Sequence, residues 1–299
     1  MGPRLQFKIR SLNFKLPTLK IIRCLAEVFF EIQRSPGETL YRNRRQNGIE
    51  GRAAESENYM KFEIKTALRF EAELGECPVW AARENALYFA DIKKRAFYRL
   101  RPDVGLDGQW NLPEEIGCFA LRESGGFIAA LRTGIFLLDR TGQIISQVAP
   151  NPDDPEKSRF NDGCVDPWGR FWCGTMWEGQ ENELKARILR VDEHLNTEII
   201  AGDLNITNGL AFSPDRRWVY YSDTGNNILY RQALDPNSGR IIGPREKLRH
   251  FGDGRPDGAA VDVEGNYWSA QYGGARVERL GPDGRTLDII DLPVPKPTM

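Results

Sequence analysis

The chain has 299 residues, 40% of them hydrophobic, which is enough for one large core or two small ones. Lys and Arg number 41 against 42 Asp and Glu, a formal charge of −1, so neither nucleic acid nor an anionic membrane surface is expected as a partner. No apolar run approaches the roughly 18 residues of a membrane-spanning helix. The five cysteines are odd in number, widely spaced and without a C-x-x-C pair, as expected of reduced thiols in a cytoplasmic protein.

The first 59 residues read differently from the rest. Met1 to Ala26 carries six Lys or Arg and no acidic residue. Ile21, Ile22, Leu25, Val28, Phe29 and Ile32 recur at helical spacing, which predicts an amphipathic helix over 19–34. Such a segment is either an organelle-targeting presequence or sequence upstream of a true start at Met60. Its shortage of serine, and the onset of strand alternation directly after Met60, favour the second. Residues 1–59 are therefore expected to be a basic extension, disordered or partly helical, outside a domain spanning 60–299.

From Lys61 to Phe70 onward the pattern is all β. A turn, an aromatic or aliphatic strand and a small residue recur five times: Leu87 to Ala90, Phe127 to Ala130, Phe171 to Gly174, Val219 to Ser222 and Tyr267 to Ala270. Their first residues lie 40, 44, 48 and 48 apart, and short strands with turns separate them. About 45 residues and four strands per period is the signature of propeller blades, which bury their faces only against neighbours. A β-sandwich would not generate so long a regular period. A sixth copy would fall past Met299, so the expected fold is a six-bladed β-propeller with its last blade truncated. Its ring would stay open, with Lys61 to Phe70 lacking the strands it should pair with.

Counting back from each repeat finds one polar position. Glu76 lies 11 residues ahead of Leu87, Asn161 10 ahead of Phe171, Asn208 11 ahead of Val219 and Asp257 10 ahead of Tyr267; the second repeat has Ile116-Gly117 there. Asn or Asp before Gly is ordinary turn chemistry. Four such residues at one offset, however, would converge on one mouth of the central channel. Two carboxylates and two amide oxygens suit Ca²⁺, Mg²⁺ or Mn²⁺, with Zn²⁺ also compatible.

At these residues the chain resembles the family of regucalcin (senescence marker protein 30), gluconolactonases and related sugar lactonases. The matching stretches are Leu74 to Trp80, Arg159 to Gly163 running into Asp166 to Met176, Thr207 to Asp215, and Pro256 to Gly258. The resemblance implies a metal held by Glu76, Asn208 and Asp257, with Arg159 and Asn161 binding substrate, which moves Asn161 from ligand to substrate contact. The activity it implies is hydrolysis of a sugar lactone; the chemistry of an ester then leads us to expect one divalent ion polarising the carbonyl and Asp257 as general base on the attacking water. Asp162 is the second candidate for the base, or a support behind it. Arg159 also has the plainer reading of a surface ion pair.

Two other classes compete: a non-catalytic calcium-binding propeller, and another metal-dependent ester or phosphotriester hydrolase. A cation beside the site favours an enzyme over a pure ion site. The two histidines, His194 and His250, read as surface residues, no G-x-S-x-G elbow occurs, and Gly252-Asp253-Gly254 lacks a dinucleotide loop's context. Trp80, Trp168, Trp172, Trp218 and Trp268 read as core packing.

Overall fold

A computed structural model describes residues 61–180 and 183–299, together with the backbone of 20–23 and 27–35. Three strands, Lys20–Arg23 (β1), Glu27–Ser35 (β2) and Lys61–Phe70 (β3), form one antiparallel sheet. Five four-stranded meanders follow. The first blade is Gly75–Ala81 (β4), Ala86–Asp91 (β5), Ala96–Arg101 (β6) and Gly105–Asn111 (β7). The second is Ile116–Leu121 (β8), Phe127–Leu131 (β9), Gly134–Leu138 (β10) and Ile144–Pro150 (β11). The third is Ser158–Val165 (β12), Phe171–Trp177 (β13), Ala186–Val191 (β14) and Thr197–Leu204 (β15). The fourth is Thr207–Phe212 (β16), Trp218–Asp223 (β17), Ile228–Ala233 (β18) and Glu246–His250 (β19), and the fifth is Arg255–Val261 (β20), Tyr267–Tyr272 (β21), Arg276–Leu280 (β22) and Thr286–Asp291 (β23).

The five sequence repeats are the second strands of the blades. Neighbouring blades meet along their first strands, β8 against β12, β12 against β16 and β16 against β20, which therefore line the channel. Burial follows this order. β5 and β9 are buried throughout, whereas the outermost strands β7 and β11 are mostly exposed.

Three expectations are corrected. Five four-stranded blades are present among the described residues, not six. The gap between the fifth and first blades is spanned by β3, where Phe62 and Ile64 pack on the Val277, Ile290 and Leu292 cluster while Leu68 and Phe70 pack on Leu87, Phe89 and Tyr98. A bulge makes this two-sided contact possible: Phe29 pairs with Leu68 and Phe30 with Thr66, so Ala67 is an extra residue and the two halves of β3 present opposite faces. The strand expected to lack partners pairs with β2 from Lys61 to Phe70. The helix expected over 19–34 is also replaced, by β1 and β2. That segment is rich in β-branched and aromatic residues, and pairing along β3 overrides a periodicity that fitted either element.

The blade turns show how the sequence fixes the hairpins. Asp166 and Asp262 open four-residue turns closed by Gly169 and Gly265, whose φ of 83° and 86° are in the left-handed region that favours glycine. Asp166 Oδ1 accepts from the backbone N–H of Trp168 and Arg170, at 2.9 Å each, and its Oδ2 accepts from Arg170 Nε at 2.6 Å and Trp172 Nε1 at 2.8 Å. Arg170 continues to the carbonyls of Ser238 and Gly239 in the fourth blade, so one buried carboxylate ties a turn, a core tryptophan and the next blade together.

The tryptophans divide. Trp172 is fully buried, while Trp168, Trp218 and Trp268 are half-buried and covered by Arg170, Arg231 and Arg279. Trp80 is half-buried beside the first-blade cluster.

Replacing Asp166 by Ala removes four accepted bonds and strands a buried guanidinium. The expected cost is about 3–5 kcal/mol of unfolding free energy in urea titrations; a loss under about 1 kcal/mol would contradict the brace.

Candidate functional site

The site is built by an interruption at the same place in each innermost strand. Glu76 pairs with Ala90 but the next regular pair is Val79 with Tyr88; Asn208 pairs with Ser222, then Ala211 with Tyr220. In β12 the break falls after Phe160 and in β20 after Pro256, which makes Asn161 and Asp257 the first unpaired residues there. Cys77 and Gly209, the residues after Glu76 and Asn208, take φ of 51° and 59°. A bulge bends the strand and re-aims its side chains, so each sits at a channel mouth instead of alternating into a blade face.

The second blade breaks its ladder at Gly117, between Ile116 and Cys118. A Cβ there would strike the backbone of Phe160 and Asn161, so this blade offers no side chain and lets the third blade's bulge pack closely.

Hydrogen bonds run from blade to blade. Arg159 Nη1 donates to Asn161 Oδ1 at 2.8 Å, and Asn161 Nδ2 donates to Asn208 Oδ1 at 2.9 Å and to the Thr207 carbonyl at 3.0 Å. Asn208 Nδ2 donates to Thr224 Oγ1 at 2.8 Å, and that hydroxyl donates to the carbonyl of Pro256, beside Asp257, at 2.6 Å. The fifth and first blades are joined by Thr298, whose carbonyl accepts from Gly258 N at 2.7 Å and whose hydroxyl donates to Gly75 O at 2.9 Å. Glu76 and Asp257 thus belong to segments clamped by one residue.

Arg159 is only 5% exposed. Its Nε meets Glu178 Oε1 at 3.2 Å, and Glu178 also holds Arg132, which in turn is held by Glu115. Burial pulls the Arg159 pKa down, and the charges of Glu178, Glu115 and Glu76 oppose the shift. The plain surface ion pair does not describe this residue. Glu178 and Thr224 were not singled out from the sequence. Each follows the end of a second strand, reached through a hairpin, so neither shares the offset that marked the inner strands.

Asp162 has both oxygens committed. Oδ1 accepts from Gly163 N at 2.7 Å and Oδ2 from Leu210 N at 2.8 Å, which links the third blade to the fourth. Burial raises its pKa to about 6 although the amides of Leu210, Gly163 and Gly209 pull the other way. Asp257 is 8% exposed, and no ion pair reaches it among the described residues. Burial first and the Asp162 charge second push its pKa well above the usual carboxylate range, opposed by the Gly258 N–H and by Arg159. His194 and His250 lie exposed in a hairpin turn and an outer strand.

Among the described residues no three His, Cys, Asp or Glu side chains gather into a metal cluster. The mouth offers instead two carboxylates, Glu76 and Asp257, and the Asn208 amide oxygen. A buried carboxylate that lacks a contacting cation and is pushed upward by its surroundings is suited to receive one. The donor set is hard and oxygen-only, and the residues fit a divalent ion of that preference.

Residues 74–299 match the family model of the SMP-30/Gluconolactonase/LRE-like region. The chain belongs to that family. Among curated relatives, a 6-deoxy-6-sulfogluconolactonase of Pseudomonas putida is 53% identical over 243 residues, covering 80% of this chain and 82% of its own. Regucalcin of Sus scrofa is 33% identical over 249 residues, covering 79% and 81%. Among solved structures, a calcium-binding regucalcin of Agrobacterium tumefaciens superposes with a TM-score of 0.71 at 28% identity, covering 76% of this chain and 77% of its own. The family match begins at Leu74, just ahead of Glu76, and takes in every residue of the mouth described above. No helix among the described residues is long and apolar enough to cross a membrane.

The sign of the Asp257 shift gives a test. A carboxyl group whose folded pKa is raised contributes stability that is full below its unfolded pKa of about 4 and lost as pH rises through the folded value. An amide cannot ionise. Chelator-treated Asp257→Asn is therefore expected to melt increasingly above chelator-treated parent as pH rises from about 4 to 8. A melting-temperature difference independent of pH would contradict the assignment.

Proposed function

We propose that the chain hydrolyses a sugar lactone to the free sugar acid. The observation that carries this reading is the mouth itself: a buried carboxylate whose pKa is pushed up by burial, beside a buried guanidinium and two amides, within a family whose curated members include a lactonase 53% identical to this chain. A lactone needs an attacking water, an acceptor for its proton and stabilisation of the oxyanion.

Asp257 is the acceptor. Its carboxylate takes a proton from water as the water oxygen adds to the carbonyl carbon, and returns that proton to the ring oxygen when the ester C–O bond breaks. Arg159 and Asn161 hold hydroxyl or ring oxygens of the sugar. Glu178, bonded to Arg159, keeps the guanidinium oriented, and Asp162 braces the bulges of the third and fourth blades from behind. Glu76, Asn208 and Asp257 would hold a divalent ion, Ca²⁺, Zn²⁺, Mn²⁺ or Mg²⁺, which when bound supplies polarisation of the lactone carbonyl.

A scaffold that only binds calcium has no use for a buried arginine at its ion site, because like charges repel. Other metal-dependent ester or phosphotriester hydrolysis uses the same parts, and the choice rests on substrate. The name of the Pseudomonas putida relative points to a gluconolactone, with or without a 6-sulfonate, as the ring to try first. The four described cysteines are free thiols, in keeping with a reducing compartment such as the cytoplasm.

Acid release from D-glucono-1,5-lactone, its 6-deoxy-6-sulfo analogue and an aryl phosphotriester, each with added divalent ions, tests the reading. At least one lactone is expected to turn over with kcat/KM far above that of the phosphotriester. In Asp257→Asn, kcat is expected to drop about a hundredfold or more. Undiminished kcat in that variant would place the base elsewhere, and turnover of the phosphotriester alone would overturn the substrate class.

A further inference from the structure

We propose a second ligand site on the face opposite the lactone mouth, between the first and second blades, for a small aromatic compound that carries an oxyanion. β4 runs from Glu76 at the mouth to Ala81, five residues or about 16 Å further along the strand. There a cavity of about 730 Å³ opens between the end of β4, the β8–β9 turn and Arg140 beyond β10. That volume lies within the range of small-molecule sites.

Four arginines line the cavity, Arg83, Arg99, Arg122 and Arg140, against two acidic residues, Glu84 and Glu123. Arg99 is already neutralised: Asp107 receives its Nε at 2.7 Å and its Nη2 at 3.2 Å, and Glu84 lies 3.5 Å from its Nη1. Glu84 also accepts from the Tyr88 hydroxyl at 2.7 Å. No ion pair to a described residue engages Arg83, Arg122 or Arg140. The cavity therefore keeps an excess of positive charge.

Arg122 is the decisive residue. Four arginines among the described residues have a buried Nε without a hydrogen bond: Arg101, Arg122, Arg249 and Arg279. Arg101 is paired with Asp107, Arg249 with Glu278, and Arg279 with Glu264 and Asp288, so their charge is answered through other atoms or close by. Arg122 alone has no carboxylate, and its only resolved influence is burial, which pulls its pKa down. Arg122 is half-buried with its Nε out of solvent, so its charge is unanswered by the described residues and open to an incoming oxyanion. Guanidinium forks take carboxylate and phosphate oxygens in pairs.

The walls supply the rest of the specificity. Trp80 and Trp110 are half-buried there, with Phe127 and Leu121 beside them. Trp110 is held rigid by stacking on Phe97, ring centroids 4.9 Å apart, and by its Nε1 donating to Arg140 O at 3.0 Å. Its anchoring to the same residue that carries one of the free guanidinium groups joins an aromatic wall to a cationic rim. A ring with one anionic substituent satisfies both, whereas a polyhydroxy sugar satisfies only the rim.

Calorimetric titration of the full chain with phenyl phosphate and with benzoate tests the site; inorganic phosphate and benzyl alcohol serve as the charge-only and ring-only probes. At least one aryl oxyanion is expected to bind saturably and at least about tenfold more tightly than either partial probe. Gluconate should not displace it. Arg122→Gln and Arg140→Gln should each weaken that binding about tenfold or more while leaving lactone turnover and melting temperature unchanged. Because the Arg122 side chain makes no hydrogen bond or ion pair to a described residue, its replacement breaks none of them, and exposed Arg140 provides an independent check. Absence of saturable binding, displacement by gluconate, binding that survives both substitutions, or equal affinity for inorganic phosphate alone would overturn the proposal.

Discussion

Everything at the mouth depends on one local fault, the break in antiparallel pairing one to three residues into each innermost strand. An unbroken strand would alternate its side chains between the two faces of a blade, where the neighbouring blades are packed. The bulge takes one residue per blade out of that alternation. It also consumes backbone freedom, which explains the left-handed backbone at Cys77 and Gly209 and the absence of any side chain at Gly117. Blades one, three, four and five contribute oxygen or amide groups, and blade two contributes the space into which the third blade's bulge fits.

Because these bulges are unpaired, their polar groups need partners from elsewhere, and the partners come from adjacent blades. Asp162 caps the amides of the fourth blade's bulge, Thr224 links Asn208 to Pro256, and Thr298 bridges Gly75 and Gly258. The same bonds that satisfy the backbone also hold Glu76, Asn161, Asn208 and Asp257 around one opening. Burial then sets the chemistry. It raises the pKa of Asp257 and lowers that of Arg159, whose guanidinium Glu178 holds in place.

What could be read from the sequence was what repeats. The second strands of the blades, the offset of Glu76, Asn161, Asn208 and Asp257, and the apolar gap at Ile116-Gly117 all follow from a period that is local to each blade. Contacts between distant segments were not legible. β1 and β2 looked helical because apolar spacing in a short segment fits two elements, and only pairing with β3 decides between them. The count of blades failed for a related reason: the region between the fifth and first blades is filled by a strand from the other end of the chain. Glu178 and Thr224 stand at hairpin ends whose register with the inner strands no spacing reveals. Asp162, an alternative base on the sequence, lies within the third blade's bulge, with one oxygen on its own blade's Gly163 amide and the other on the Leu210 amide of the fourth blade.

The central claim is that the four bulged strands assemble one divalent-ion-dependent lactonase mouth. It is tested most directly by removing divalent ions with a chelator, measuring lactone hydrolysis, and titrating an ion back into the parent protein and into Asn208→Ala. The account predicts that activity disappears on chelation and returns on titration, and that Asn208→Ala needs about tenfold or more ion to reach half of its own maximum. Lactone hydrolysis that persists undiminished after chelation would contradict it.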